Sequence, residues 1–124
     1  MFKKKILVVE DESDIAENIV VRLEAEGYNT IYASNGKSAI DSSLEEKPDL
    51  ILLDIMLPKL DGIEVCKVLK SKSKLKNVPI LMLTSLNAVG DVEKAFQAGA
   101  NDYLAKPFEY DRLLSKIRKL LDEV

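Results

Sequence analysis

The 124-residue sequence contains no histidine, no tryptophan and a single cysteine, Cys66. Without histidine, the Ser-His-Asp and Cys-His pairs of nucleophilic hydrolases are excluded, and so is the usual Cys/His zinc site. One cysteine cannot form an internal disulfide, which favours a reducing compartment. Any chemistry must therefore use carboxylates, hydroxyls, lysines or a hard metal ion.

The net charge is small, and long apolar runs are absent. The chain has 18 Lys and Arg against 21 Asp and Glu, a formal net charge of -3, so bulk electrostatics predict no direct binding to nucleic acid. No stretch approaches the roughly 20 apolar residues of a membrane span, and the short run after the lysines at positions 3–5 is unlike a signal peptide. These features predict a cytoplasmic protein without a membrane segment. The length fits one domain over residues 1–124.

Short apolar runs alternate with amphipathic stretches along the whole chain. The runs at residues 6–9, 50–53 and 80–83 lack period-two alternation, which is typical of strands buried on both faces. Weaker strands are predicted at Asn29–Ala33 and residues 102–105. With helical patterns between them, the chain reads as five βα units. We predict an α/β fold, a doubly wound five-stranded parallel sheet of order 2-1-3-4-5 with helices on both faces.

Helix boundaries are marked by capping residues. Ser13 is a plausible N-cap of the first helix and Gly27 a plausible residue just past its end. Asp61 and Glu64 stand at capping-box spacing ahead of the third helix.

Polar side chains follow four of the predicted strands. Glu10 and Asp11 come after the first strand and Asp54 ends the third. Thr84 ends the fourth strand, and Lys106 follows the fifth. Because ligands of doubly wound sheets bind at the carboxyl ends of the strands, these five side chains are expected to converge there.

This combination indicates phosphoryl chemistry. Three nearby carboxylates repel one another unless a cation is present, and Mg²⁺ with oxygen ligands leaves room for a phosphate. Asp54 is the best placed carboxylate nucleophile. Mg²⁺, Lys106 and the Thr84 hydroxyl would supply the positioning and charge neutralisation that phosphoryl transfer needs. Each residue alone has an ordinary explanation as a turn, a helix cap or a surface lysine, but the joint pattern does not.

Five segments resemble the receiver domains of two-component response regulators, whose flavodoxin-like fold is that of the chemotaxis regulators. They are residues 6–11, residues 52–58 with Asp61 and Gly62, residues 83–85, residues 98–100 and residues 106–108. The resemblance extends over essentially the whole chain. It implies that Asp54 accepts a phosphoryl group from the phosphohistidine of a sensor histidine kinase or phosphotransfer protein. The missing histidine would then belong to the donor.

The resemblance also implies the ligands of Mg²⁺ and the parts of a switch. Glu10, Asp11, Asp54 and the backbone carbonyl of Met56 would hold the ion. Lys106, before a cis bond to Pro107, and Thr84 would contact the phosphoryl oxygens. Tyr103 would be the switch aromatic, turning inward as Thr84 moves.

The same resemblance assigns the readout to the surface of the fourth helix, fifth strand and fifth helix. That surface would signal to a partner protein or an output domain, or form a homodimer. The protein is then a phosphoacceptor switch that assists its own phosphorylation and slow dephosphorylation, not a turnover enzyme. Whether the chain acts alone or belongs to a longer protein stays open, with Met1 mildly favouring the first.

Two alternatives remain. A Mg²⁺-dependent aspartyl-phosphate phosphatase is disfavoured because such enzymes place a second Asp two residues after the nucleophile, where this chain has Met56. A degenerate receiver that acts only as a binding module is disfavoured because every site position carries the expected chemistry.

Overall fold

In the computed structural model, which describes residues 3–57, 61–85 and 89–122, strands and helices alternate along the chain. In chain order the elements are β1 (Lys5–Val9), α1 (Ser13–Ala25), β2 (Asn29–Ala33), α2 (Gly36–Glu46), β3 (Leu50–Asp54), α3 (Gly62–Ser71), β4 (Ile80–Ser85), α4 (Val89–Gln97), β5 (Asp102–Lys106) and α5 (Tyr110–Leu120).

The strands form one sheet of order β2-β1-β3-β4-β5, and every neighbouring pair is parallel. This confirms the predicted topology. All five residues of β3 are buried, as expected of a central strand covered on both faces. All five carboxyl ends therefore lie along one edge of the sheet.

Two apolar cores lie on opposite faces of the sheet, as the doubly wound prediction requires. In β1, Leu7 packs on the side of α2, α3 and α4, and Ile6 packs on the side of α1 and α5. Cys66 of α3 is fully buried in the first core, where it packs as a small apolar side chain. Consecutive strand residues thus serve different cores, because side chains alternate across a strand.

The helix boundaries follow the capping residues with one exception. Gly27, just past α1, has a φ of +97°, which favours glycine, and the Asp61 carboxylate accepts a hydrogen bond from the Glu64 amide at 3.0 Å. The prediction of Ser13 as N-cap is wrong. Ser13 is already helical, and the N-cap residue Glu12 makes no side-chain capping hydrogen bond.

None of the helices in the described part of the chain is both long and apolar enough to span a bilayer.

Candidate functional site

Asp54 lies at the centre of the edge formed by the carboxyl ends. It is the last residue of β3, and its side chain is buried, with the residue 3% exposed. The Met56 amide donates to Asp54 Oδ1 at 3.0 Å, and Lys106 Nζ donates to Asp54 Oδ2 at 3.1 Å. Both carboxylate oxygens are therefore held in place by hydrogen-bond donors.

Lys106 joins two carboxylates across the sheet. It ends β5, which is separated from β3 by β4, so its long side chain spans β4 to reach Asp54. Its Nζ also lies 3.3 Å from Glu10 Oε1. Burial by itself lowers the pKa of Lys106, but the charges and hydrogen bonds of Asp54 and Glu10 outweigh it, and the net pKa is raised. The peptide bond from Lys106 to Pro107 is cis, as the resemblance implies.

Glu10 is the most deeply buried carboxylate of the site, with an exposure of 1%. Its Oε2 has no hydrogen-bond partner within the described ranges. Burial raises the pKa of Glu10 to about 8, helped by the proximity of Asp54 and opposed by Lys106. A buried carboxylate oxygen without a partner is unfavourable unless a cation or proton occupies the space beside it.

Asp11 completes a cluster of carboxylates. Glu10, Asp11 and Asp54 each offer one oxygen, and these oxygens lie within 4.8 Å of one another. Glu10 and Asp54 are buried whereas Asp11 is exposed, so the cluster opens to solvent on one side. Hard oxygen ligands, an unpartnered buried oxygen and an open side fit Mg²⁺, which keeps several waters. The contribution of the Met56 carbonyl stays a prediction.

Gly62 packs closely against the backbone at the end of β3. A β-carbon on Gly62, the first residue of α3, would overlap the backbone carbonyl of Asp54 and the α-carbon of Ile55. The Gly62 amide donates to the Ile55 carbonyl at 2.8 Å. The helix therefore approaches the end of β3 more closely than any residue with a side chain would permit.

Thr84 is buried near the end of β4, and among the described residues its hydroxyl makes no hydrogen bond to the clustered carboxylates. Its hydroxyl donates to the Ser85 carbonyl at 3.0 Å. The sequence therefore predicts the correct edge of the sheet for Thr84. In this structure, however, its hydroxyl is directed to the carbonyl of the next residue.

Tyr103 lies outside the acidic cluster, on the surface of α4, β5 and α5. It is 36% exposed, and its ring meets Phe96 edge-on at a centroid distance of 6.0 Å. Lys116 Nζ lies 5.9 Å from the centre of the Tyr103 ring and 3.0 Å from Asp102 Oδ2. This arrangement holds Tyr103 in an outward position.

Two contributions to the site were missed by the sequence analysis. The packing role of Gly62 could have been suspected from its place at the start of a helix after a polar strand end. Tyr32 gave no signal, because it lies in the weakest strand pattern, yet its hydroxyl donates to the Glu10 carbonyl at 2.8 Å. Pro58 of the resembling segments lies outside the described residues, as do residues 86–88.

A groove of about 520 Å³ lies between α1 and the segment after β5. Ile15, Ile19 and Phe108 contribute apolar lining, and Lys106 lies at the groove wall. Lys106, which hydrogen-bonds to Asp54, is therefore shared by the groove and the acidic cluster.

Comparison with known proteins gives the same family at both sequence and structure level. Over 118 residues the chain is 46% identical to the alkaline phosphatase synthesis transcriptional regulatory protein PhoP of Bacillus subtilis, covering 95% of this chain and 48% of PhoP. Over 119 residues it is 40% identical to the DNA-binding response regulator MtrA of Mycobacterium tuberculosis, covering 96% of this chain and 51% of MtrA. The chain thus spans about half the length of the curated relatives it matches.

Solved structures agree with this relationship. A two-component response regulator from Clostridium difficile superposes with a TM-score of 0.90 at 30% identity, covering 97% of each chain. The receiver domain of a Pseudomonas aeruginosa sensor histidine kinase has a TM-score of 0.90 at 34% identity, covering 98% of this chain and 100% of that one. That structure holds a magnesium ion coordinated in its active site cleft. The sequence model of the response regulator receiver domain family matches residues 6–118, and the chain belongs to that family.

Proposed function

We propose that the chain is a phosphoacceptor switch in which Asp54 receives a phosphoryl group from a phosphohistidine. One observation carries the proposal. The Asp54 carboxylate is buried at the carboxyl edge of the sheet, held by Lys106 Nζ at 3.1 Å and clustered with the carboxylates of Glu10 and Asp11. An ordinary turn or capping aspartate needs neither an ammonium partner nor two further acids beside it.

The transfer step needs little from the protein beyond position and charge. An oxygen of Asp54 attacks phosphorus, and the new P–O bond forms as the P–N bond to the donor imidazole breaks. The electron pair leaves with the imidazole nitrogen, so the chain needs no histidine or general acid of its own. The Met56 amide and Lys106 orient the carboxylate before attack.

Glu10, Asp11 and Asp54, with the carbonyl of Met56, would hold the Mg²⁺. The ion, when bound, neutralises charge on the phosphoryl oxygens and the surrounding carboxylates. Lys106, which contacts both Asp54 and Glu10, would supply a second positive charge. The transferred group would therefore meet positive charge and not the carboxylates alone.

The signal would begin at Thr84. Its hydroxyl now donates to the Ser85 carbonyl and would turn to a phosphoryl oxygen, a stronger, charge-assisted acceptor. Tyr103 would then turn inward, away from Phe96 and Lys116, and change the surface of α4, β5 and α5. The family uses two populated conformations, and phosphorylation would favour one of them.

Two surfaces would bind partners: the groove beside Lys106, and the surface formed by α4, β5 and α5. A sensor histidine kinase or phosphotransfer protein would reach Asp54 from the groove beside Lys106. The surface of α4, β5 and α5 would contact a partner protein, an output domain or a second copy of the chain. PhoP is named as a transcriptional regulatory protein and MtrA as a DNA-binding response regulator, and both are about twice as long as this chain, so we assign any DNA binding to an output region and not to this domain.

Intact mass spectrometry tests the acceptor. Incubation with acetyl phosphate and Mg²⁺ should add one phosphoryl group to the wild type, and EDTA should prevent the addition. Asp54→Asn, which is nearly isosteric, should gain none. A phosphoryl group on Asp54→Asn would overturn the assignment of the acceptor, and an unmodified wild type would leave the binding-module alternative.

Steady-state assay with small phosphomonoesters tests the phosphatase alternative. Met56 is 68% exposed at the position where such an enzyme would need an acid, and a thioether carries no transferable proton. We expect no multiple turnover, and Met56→Asp provides the matched variant that restores the missing carboxyl. Sustained hydrolysis by the wild type would contradict the proposal that the chain is not an enzyme.

A further inference from the structure

The turn that carries two of the three clustered carboxylates has little support from its own helix. Residues 10–12 connect β1 to α1, and Glu12, at the N-cap position, makes no side-chain capping hydrogen bond. Helix capping therefore does not fix this turn, although Glu10 and Asp11 must remain converged with Asp54.

The edge strand β2 fixes the turn instead. The Glu10 amide donates to the Ala33 carbonyl at 3.1 Å, and the Tyr32 hydroxyl donates to the Glu10 carbonyl at 2.8 Å. Two consecutive residues of β2 therefore hold both backbone polar groups of Glu10.

Side chains alternate between the two faces of the sheet along β2, which explains why Tyr32 can reach the Glu10 carbonyl. Ile31 and Ala33 pack against the core on the side of α2, α3 and α4, so Tyr32 faces the side of α1, which begins directly after the turn.

We propose that Tyr32 is a positioning residue for the metal site, and that its hydrogen bond to the Glu10 carbonyl keeps the carboxylates of the turn converged on Asp54. The inference rests on the proposed function, because it assumes that this cluster binds Mg²⁺. Acidic groups whose oxygens lie within 4.8 Å of one another repel when they lose their protons, so a turn without this bond would relax outward before the ion arrives. Mg²⁺ binding would then have to bring the turn back toward Asp54, which would lower the affinity for the ion.

Calorimetric titration with Mg²⁺ tests the inference. Tyr32→Phe removes only the hydroxyl, and the loss of one neutral hydrogen bond should weaken Mg²⁺ binding about fivefold. Tyr110→Phe is the matched control, because the buried Tyr110 hydroxyl has no hydrogen-bond partner within the described ranges. Its Mg²⁺ affinity should equal that of the wild type.

A second measurement separates positioning from general stability. Thermal unfolding without metal should show a single cooperative transition for both variants, so that weaker Mg²⁺ binding by Tyr32→Phe is not explained by loss of the fold. Equal Mg²⁺ affinity of Tyr32→Phe and the wild type would overturn the role of Tyr32 and leave the proposed function standing. A wild type that binds no Mg²⁺ would overturn both.

Discussion

Gly62 packs directly beneath the backbone carbonyl of Asp54, with no space for a β-carbon between them. The close approach sets the distance between α3 and the end of β3. The position of the Asp54 carboxylate therefore depends on a residue that has no side chain.

Gly62→Ala should destabilise the protein although alanine is the better helix former. The added methyl group must displace the backbone of Asp54, and such overpacking costs about 2 kcal/mol of the free energy of unfolding. Urea unfolding would measure it. Ser71→Ala, at the exposed end of the same helix, is the control and should change stability little. Equal stability of Gly62→Ala and the wild type would show that the β3–α3 packing can relax.

The stability of the metal-free protein should fall as pH rises between about 5.5 and 7.5. The folded pKa of Glu10 is about 8 and its ordinary value is 4.5, so in this window the folded state holds a proton that the unfolded chain releases. With no histidine in the chain, no other side chain is expected to titrate strongly there. Urea unfolding in EDTA at several pH values measures the slope.

Glu10→Gln is the control for this pH dependence, because it removes the titrating group and keeps the shape. Its free energy of unfolding should be nearly constant over the same window. Saturating Mg²⁺ should also flatten the wild-type slope, because the ion competes with the proton. A slope that persists in Glu10→Gln would place the titration elsewhere.

Lys106→Met should separate metal binding from phosphoryl transfer. Removal of the ammonium leaves Asp54 and Glu10 without their shared positive partner, so the affinity for Mg²⁺ should rise. The rate of phosphorylation by acetyl phosphate should nevertheless fall about a hundredfold, the usual effect of removing one donor that stabilises developing charge. Lys37→Met removes an exposed lysine that pairs with Asp41, and both properties should be unchanged. Loss of Mg²⁺ affinity in Lys106→Met would contradict the electrostatic role given to Lys106.

Tyr103→Trp would introduce a single tryptophan into a chain that has none. At its present exposure of 36% the indole should emit at long wavelength, and inward movement on phosphorylation should shift the emission to shorter wavelength. Asp54→Asn in the same background is the control and should show no shift. A shift that also appears with Asp54→Asn would not report phosphorylation.

The fold was accessible from the sequence because strands that are buried on both faces carry a distinctive pattern. The apolar run of residues 50–53 predicted a central strand, and the structure confirms that every residue of β3 is buried. Helix ends were also predictable from the local sequence, as at Asp61 and Gly27. The error at Ser13 has a local cause, because a serine at a helix start serves equally as N-cap or first helical residue.

The site was predictable as far as topology decides it. Right-handed crossovers place all carboxyl ends at one edge, so Glu10, Asp54 and Lys106 had to lie near one another. The hydroxyl of Thr84 was not predictable in the same way. Its donation to the Ser85 carbonyl depends on a side-chain rotamer, and rotamers respond to the surrounding packing.

By itself, the sequence determined the class of chemistry, the order of the strands and the edge at which the polar residues meet, because these follow from composition and from local periodicity. Only the tertiary structure decided which atoms touch. Lys106 lies 96 residues from Glu10 and 52 from Asp54, and the Tyr32 hydroxyl reaches the Glu10 carbonyl across 22 residues. Such contacts depend on the spacing of packed strands and the reach of side chains, and neither is recorded in the local pattern of the chain.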